Sequence, residues 1–201
     1  MEGVVTMKPT QKRVILASMS PRRTELLTQA GILHEVIPSN VIEGTNGREH
    51  PDEYVGRLAR EKAMDVARNN RDAIVIGSDT VVVLDGAILE KPKDREDARD
   101  MLKRLSGATH EVLTGVSIIG PERQDLFVTA THVTFIEIPD AWLDGYLDSP
   151  EPYDKAGAYG IQGSGGLFVE RLEGDFYNVV GLPIRPLVET LERHGVAPRF
   201  L

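Results

Sequence analysis

The chain contains no cysteine. That absence excludes a disulfide framework, a thiol nucleophile and zinc–thiolate sites. Histidine is scarce, with five in 201 residues. No two of them (His34, His50, His110, His132 and His194) stand at metal-ligand spacing, and none is assigned a role. Ser18 and Ser20 lack an evident Ser-His-Asp partner set, which argues against nucleophilic catalysis. No apolar stretch is long enough to span a bilayer. The first residues lack the apolar core of a signal peptide. The net charge of −8 argues against wrapping a nucleic-acid polymer, although local basic clusters still suit a small anion. These absences favour a soluble, cytoplasmic setting with no membrane partner.

What is present reads as alternating helices and strands. The length suits one medium domain or one domain with two lobes. Residues 1–12 are expected to form a loose tail, and residues 13–201 a single domain. Strands are expected over 13–17, 34–39, 73–84, 110–119 and 126–138. A hairpin about Asp85-Gly86 leads to a strand over 87–90. Helices are expected from Ser20 as N-cap to Gly31 as stop, and over 51–67, 94–105, 139–147 and 183–194. Residues 40–48 read as a polar loop, and residues 166–180 as a hairpin about Glu173, Gly174 and Asp175. The class is α/β or α+β, with a mixed, twisted sheet and a ligand cleft at strand ends.

Five features carry chemistry. In Ser18-Met19-Ser20-Pro21-Arg22-Arg23, two arginines occupy a first helical turn, where acidic residues are favoured. Free N–H groups, two hydroxyls and two guanidinium forks there suit a phosphate, although an ordinary Ser-Pro cap with surface arginines reads equally well. It is not a Walker loop, because the Gly-Lys-Ser/Thr ending is absent. Lys62 shares a helix face with Val55, Ala59 and Val66, so it reads as a snorkelling stem or as a charge aimed into a cleft. Asp79 interrupts the apolar run 74–84 and must have a partner: a metal, a cation or a rich set of donors, with a structural salt bridge as the plainer alternative. Glu43, in the polar loop, is a second candidate oxygen ligand. Lys91, before Pro92, is a surface turn or a phosphate contact. In the Gly- and Ala-rich segment 153–166, the isolated Gln162 could read the edge of a base. Asp154 and Lys155 are expected to point to opposite sides of an extended chain.

Taken together, the segments resemble the Maf family of nucleoside triphosphate pyrophosphatases, also called septum formation inhibitors. The motifs are Ser18 to Arg23, Ala59-Arg60-Glu61-Lys62-Ala63, Gly77-Ser78-Asp79-Thr80 and Leu89-Glu90-Lys91-Pro92. Leu105-Ser106-Gly107 with His110, the run from Asp154 to Gly163, and Val180-Gly181-Leu182-Pro183 complete the set. The resemblance implies a two-lobed α/β fold with a central cleft, like that of inosine triphosphatases. It implies hydrolysis between the α- and β-phosphates, with Mg²⁺ or Mn²⁺ as cofactor. By the same resemblance, Asp79 is the general base, and Lys62 and Lys91 are catalytic through contacts with phosphate or metal. Arg22, Thr80 and Gln162 select the substrate. Ser18, Ser20, Arg23 and Glu43 contact phosphate or metal, with Asp79 and Glu43 as the metal pair. The Tyr159-Gly160-Ile161-Gln162-Gly163 form is similar to the branch acting on dTTP and UTP, modified pyrimidine nucleotides included. A homodimer and a link to cell division are implied as well. The competing reading is a non-catalytic, nucleotide-binding regulator of septum formation.

Overall fold

The structure is a computed structural model and describes residues 12–44 and 49–200. Nearly all of the expected tail, and residues 45–48 of the expected polar loop, lie outside these. The elements run β1 (Val14–Leu16), α1 (Pro21–Gln29), β2 (Glu35–Val36), α2 (Pro51–Ala67), β3 (Ile74–Leu84) and β4 (Ala87–Leu89). They continue α3 (Arg95–Leu105), β5 (Thr109–Ile119), β6 (Gln124–Phe135), α4 (Asp140–Leu147), β7 (Val169–Glu173), α5 (Phe176–Val180) and α6 (Ile184–Arg193). Short 3-10 turns occupy Glu151–Asp154, Ala156–Ala158 and Ser164–Phe168.

One mixed sheet runs through the molecule in the order β2-β1-β3-β5-β6-β7, with β4 paired to β3. The β2-β1-β3 half is parallel and the remainder is antiparallel. The fold is therefore α/β, a mixed sheet flanked by helices. Strand β3 is long enough to serve two cores. Ile74 and Ile76 pack with Leu16, Leu27, Leu187 and Leu191 at one end. Val82 and Leu84 pack with Leu102, Leu105, Phe135 and Leu147 at the other. Between the two apolar ends lies Gly77-Ser78-Asp79-Thr80. The polar interruption in the strand thus falls at the junction of two lobes.

Side chains alternate along β3. Ser78 and Thr80 share a face with the two large cores. Asp79 faces the other way, as do Val75, Val81 and Val83, which pack beside α2. Helix α2 lies very close to this face because two glycines admit it. A Cβ on Gly77 would stand 2.2 Å from the carbonyl oxygen of Ala59, and one on Gly115 would stand 2.4 Å from that of Val55. Gly115 is the cross-strand partner of Asp79. The close approach sets Lys62 of α2 beside Asp79.

Two expectations need correction. The segment expected as a hairpin over 166–180 contains only one strand, β7, which pairs with β6. The second half turns into α5 instead. Its Phe-Tyr-Asn-Val-Val composition favours a strand, but tertiary hydrogen bonds override that preference. The Asp175 side chain caps the N–H groups of Tyr177 and Asn178. The buried Asn178 amide donates to Val112 O and Thr131 Oγ1, both at 2.9 Å. The strand expected over 34–39 shrinks to two exposed residues, Glu35 and Val36.

Candidate active site

A cleft of about 800 Å³ opens between the lobes. Every site residue named from the sequence lines it. Ser18, Ser20, Arg22 and Arg23 come from the β1–α1 turn, where Pro21 starts the helix. Glu43 comes from the following loop and Lys62 from α2. Asp79 and Thr80 come from the middle of β3, Lys91 from just past β4, and Gln162 from the segment between two 3-10 turns.

At the floor, Lys62 Nζ donates to Asp79 Oδ1 and to Glu43 Oε1, both at 2.6 Å. Lys62 and Asp79 are only 6% and 7% exposed, so the snorkelling reading of Lys62 gives way to a buried ion pair. Lys91 Nζ lies 3.4 Å from Glu43 Oε2. Burial pushes the Asp79 carboxyl above its ordinary range, and Lys62 and Arg23 only partly pull it back. Burial also pushes Glu43 upward, but Lys62 and Lys91 outweigh it and hold Glu43 low.

Two carboxylates thus converge on one position of positive charge. Among the described residues, no cluster of three or more His, Cys, Asp or Glu could hold a metal ion. Two carboxylates match the one or two that Mg²⁺ commonly takes when water and phosphate oxygens complete its shell. Asp79 and Glu43 fit that chemistry.

The arginines have different duties. Arg23 directs its Nε at Gly181 O (2.8 Å), its Nη1 at Ser78 O (2.9 Å) and Ser18 Oγ (3.2 Å), and its Nη2 at Thr80 Oγ1 (3.0 Å). Four of its five N–H groups are therefore committed to protein acceptors. Burial draws its guanidinium below the usual arginine range, against the pull of Asp79. Ser18 Oγ also accepts from Ser20 N at 3.1 Å, so what it has left to offer is its O–H. Thr80 Oγ1 lies 2.9 Å from Thr114 Oγ1, which donates to Asn178 O. The Thr80 proton is therefore directed away from the cleft. Arg22 reaches across the cleft to Asp154 Oδ2 at 3.3 Å. Asp154 and Lys155 do not point apart as expected. A 3-10 turn brings Lys155 Nζ to 2.5 Å from Asp154 Oδ1.

Gln162 occupies a corner of a turn closed by Gly163 N donating to Gly160 O at 3.2 Å. Its side chain is exposed, and among the described residues its amide has no protein partner. Several lining residues had no role assigned from the sequence. Tyr54 donates to Glu90 Oε1 at 3.2 Å. Tyr159 lies 2.9 Å from His110 Nε2, and burial pushes His110 down to about 4, so its imidazole is neutral. Glu151 holds the Gln162 segment by its backbone. Tyr54 carried a signal of a kind, an i, i+4 pairing with Leu58. Glu151 carried none, since no fixed spacing ties it to the loop.

A family model described as Maf-like protein matches residues 13–194. A protein of Exiguobacterium sibiricum named dTTP/UTP pyrophosphatase is 53% identical over 95% of this chain and 97% of its own length. A protein of the same name from Bacillus pumilus is 48% identical over 92% of this chain and 98% of its own. Among solved structures, the Staphylococcus aureus Ham1 protein is similar at 18% identity and a TM-score of 0.46, over 63% of this chain and 73% of that one.

Proposed function

This chain belongs to the Maf family, and from that premise we propose that it is a nucleoside triphosphate pyrophosphatase acting on dTTP and UTP, with release of the monophosphate and pyrophosphate. The observation that carries the reading is the Asp79–Lys62–Glu43 cluster at the floor of a cleft rimmed by Arg22 and Lys91. A buried carboxylate with a raised pKa suits water positioning, and the surrounding cations suit a triphosphate.

The residues divide the work as follows. Asp79 accepts a proton from, or orients, the attacking water. Lys62 fixes the Asp79 carboxylate and adds positive charge next to the reacting phosphate. Lys91, Arg22 and the Ser18 hydroxyl take phosphate oxygens. Arg23 keeps the Ser18, Ser78, Thr80 and Gly181 groups in register. Gln162 offers its amide to the base, where its N–H donors and carbonyl acceptor can match the N3–H and O4 of thymine and uracil. Asp79 and Glu43 would hold a divalent cation, whose chemistry is to neutralise the triphosphate and the leaving pyrophosphate. Incubation with Mg²⁺ and each common nucleoside triphosphate, with products resolved by ion-exchange chromatography, tests the reading. Monophosphate and pyrophosphate from dTTP and UTP are expected. Stepwise loss of single phosphates would point to a phosphatase.

A further inference from the structure

The turn that carries Gln162 is held from outside by two side chains. Gly160 N donates to Tyr146 Oη at 3.2 Å. Beyond the turn, Ser164 N donates to Glu151 Oε2 at 3.0 Å, and Gly165 N to Glu151 Oε1 at 3.1 Å. Tyr146 closes the circuit by donating its own proton to Glu151 Oε1 at 3.1 Å. Burial and the Glu151 charge push the Tyr146 phenol up, so that proton stays in place.

Packing leaves little slack around this clasp. A Cβ on Gly163 would stand 2.4 Å from Glu151 Oε2, and one on Gly165 would stand 2.9 Å from Tyr146 Oη. Lys155 Nζ donates to the Glu151 carbonyl at 2.7 Å, which fixes the clasp at its base. A loop this rich in glycine has much conformational freedom to lose, and its own sequence does nothing to restrict it. An amide presented on an unheld loop would discriminate poorly between bases.

We infer that Glu151 is a positioning residue for base selection: its carboxylate, with Tyr146, fixes the turn that presents Gln162 to the nucleobase. The inference rests on the proposed reading of the cleft. Glu151 acts through Gln162 and not on the reacting phosphates. A carboxylate is needed because all three groups facing it are donors. An isosteric glutamine would turn an N–H toward at least one of them.

The test compares kcat and KM for dTTP, UTP and CTP in wild type, E151Q, Y146F, Q162A and the E151Q/Q162A double variant, with melting temperatures alongside. E151Q is expected to lower the dTTP-over-CTP ratio of kcat/KM by on the order of tenfold, mainly through KM. Y146F, which keeps the carboxylate, is expected to shift the ratio the same way. The double variant is expected to discriminate no worse than Q162A alone. A uniform slowing on all three nucleotides, or a loss that adds in full to that of Q162A, overturns the positioning role. A wild type that releases no pyrophosphate overturns the proposed function and this inference with it. A wild type that releases it, with the ratio unmoved in E151Q, overturns the inference alone.

Discussion

Lys62 Nζ and Asp79 Oδ1 stand 2.6 Å apart, both buried, with α2 and β3 supplying one group each. From its helical stripe alone, Lys62 reads as replaceable by methionine at no cost to the fold. The contact reverses that expectation. Lys62→Met strands a buried carboxylate and is expected to cost about 3 kcal/mol. Chemical denaturation measures it. Adding Asp79→Asn to Lys62→Met is expected to recover part of the loss, and an equal loss in both variants would refute the pair.

Asp79→Asn alone is expected to preserve the fold and to lower kcat by about a hundredfold or more. Steady-state rates with circular dichroism separate the two effects. Near wild-type turnover would remove Asp79 from the base role.

The glycines under α2 yield an independent prediction. Gly115→Ala would place a methyl group 2.4 Å from Val55 O, and backbone cannot yield cheaply there. A loss of about 1–3 kcal/mol is expected, with a fall in kcat as Lys62 is lifted from Asp79. A variant with full stability and full activity would show that the close approach is dispensable.

His110 sets an acid limit. Burial lowers its pKa from 6.5 in the unfolded chain to about 4 in the native one. Between those values the unfolded state holds a proton that the native state lacks, so stability falls as pH drops through that window. The full effect is about 3 kcal/mol. Urea unfolding across the acid range should show this slope, and His110→Gln should flatten it.

Much of this was legible in the sequence. Helix α2 lies over 51–67 as its pattern dictated, because a Pro start and an apolar stripe coincide with its buried face. The Asp94 cap and the hairpin about Asp85-Gly86 were readable for similar local reasons. Asp79 announced its need for a partner simply by interrupting an apolar strand. The partner's identity was not readable, since it depends on the depth of α2 over Gly77 and Gly115. The Asp175 cap of helix α5 is local, but the hydrogen bonds that outweigh its strand-like composition reach Val112 and Thr131, far off in the chain. The Arg23 network was hidden for the same reason. A run of two arginines says nothing about which one the protein keeps for itself.

Arg23 therefore supports another prediction. Arg23→Lys preserves charge but cannot serve Gly181 O, Ser78 O, Ser18 Oγ and Thr80 Oγ1 together. Melting temperature and kcat should both fall. For Arg22→Lys, whose one described protein partner is the exposed Asp154, melting should change little while KM rises. Equal melting of the two variants would contradict the division of duties.

Hydrolysis of dTTP in ¹⁸O-labelled water, followed by mass spectrometry of both products, tests the central claim most directly. Attack by water on the α-phosphate, with pyrophosphate leaving, predicts one labelled oxygen in the monophosphate and none in the pyrophosphate. Label in inorganic phosphate, with the diphosphate as co-product, would contradict it.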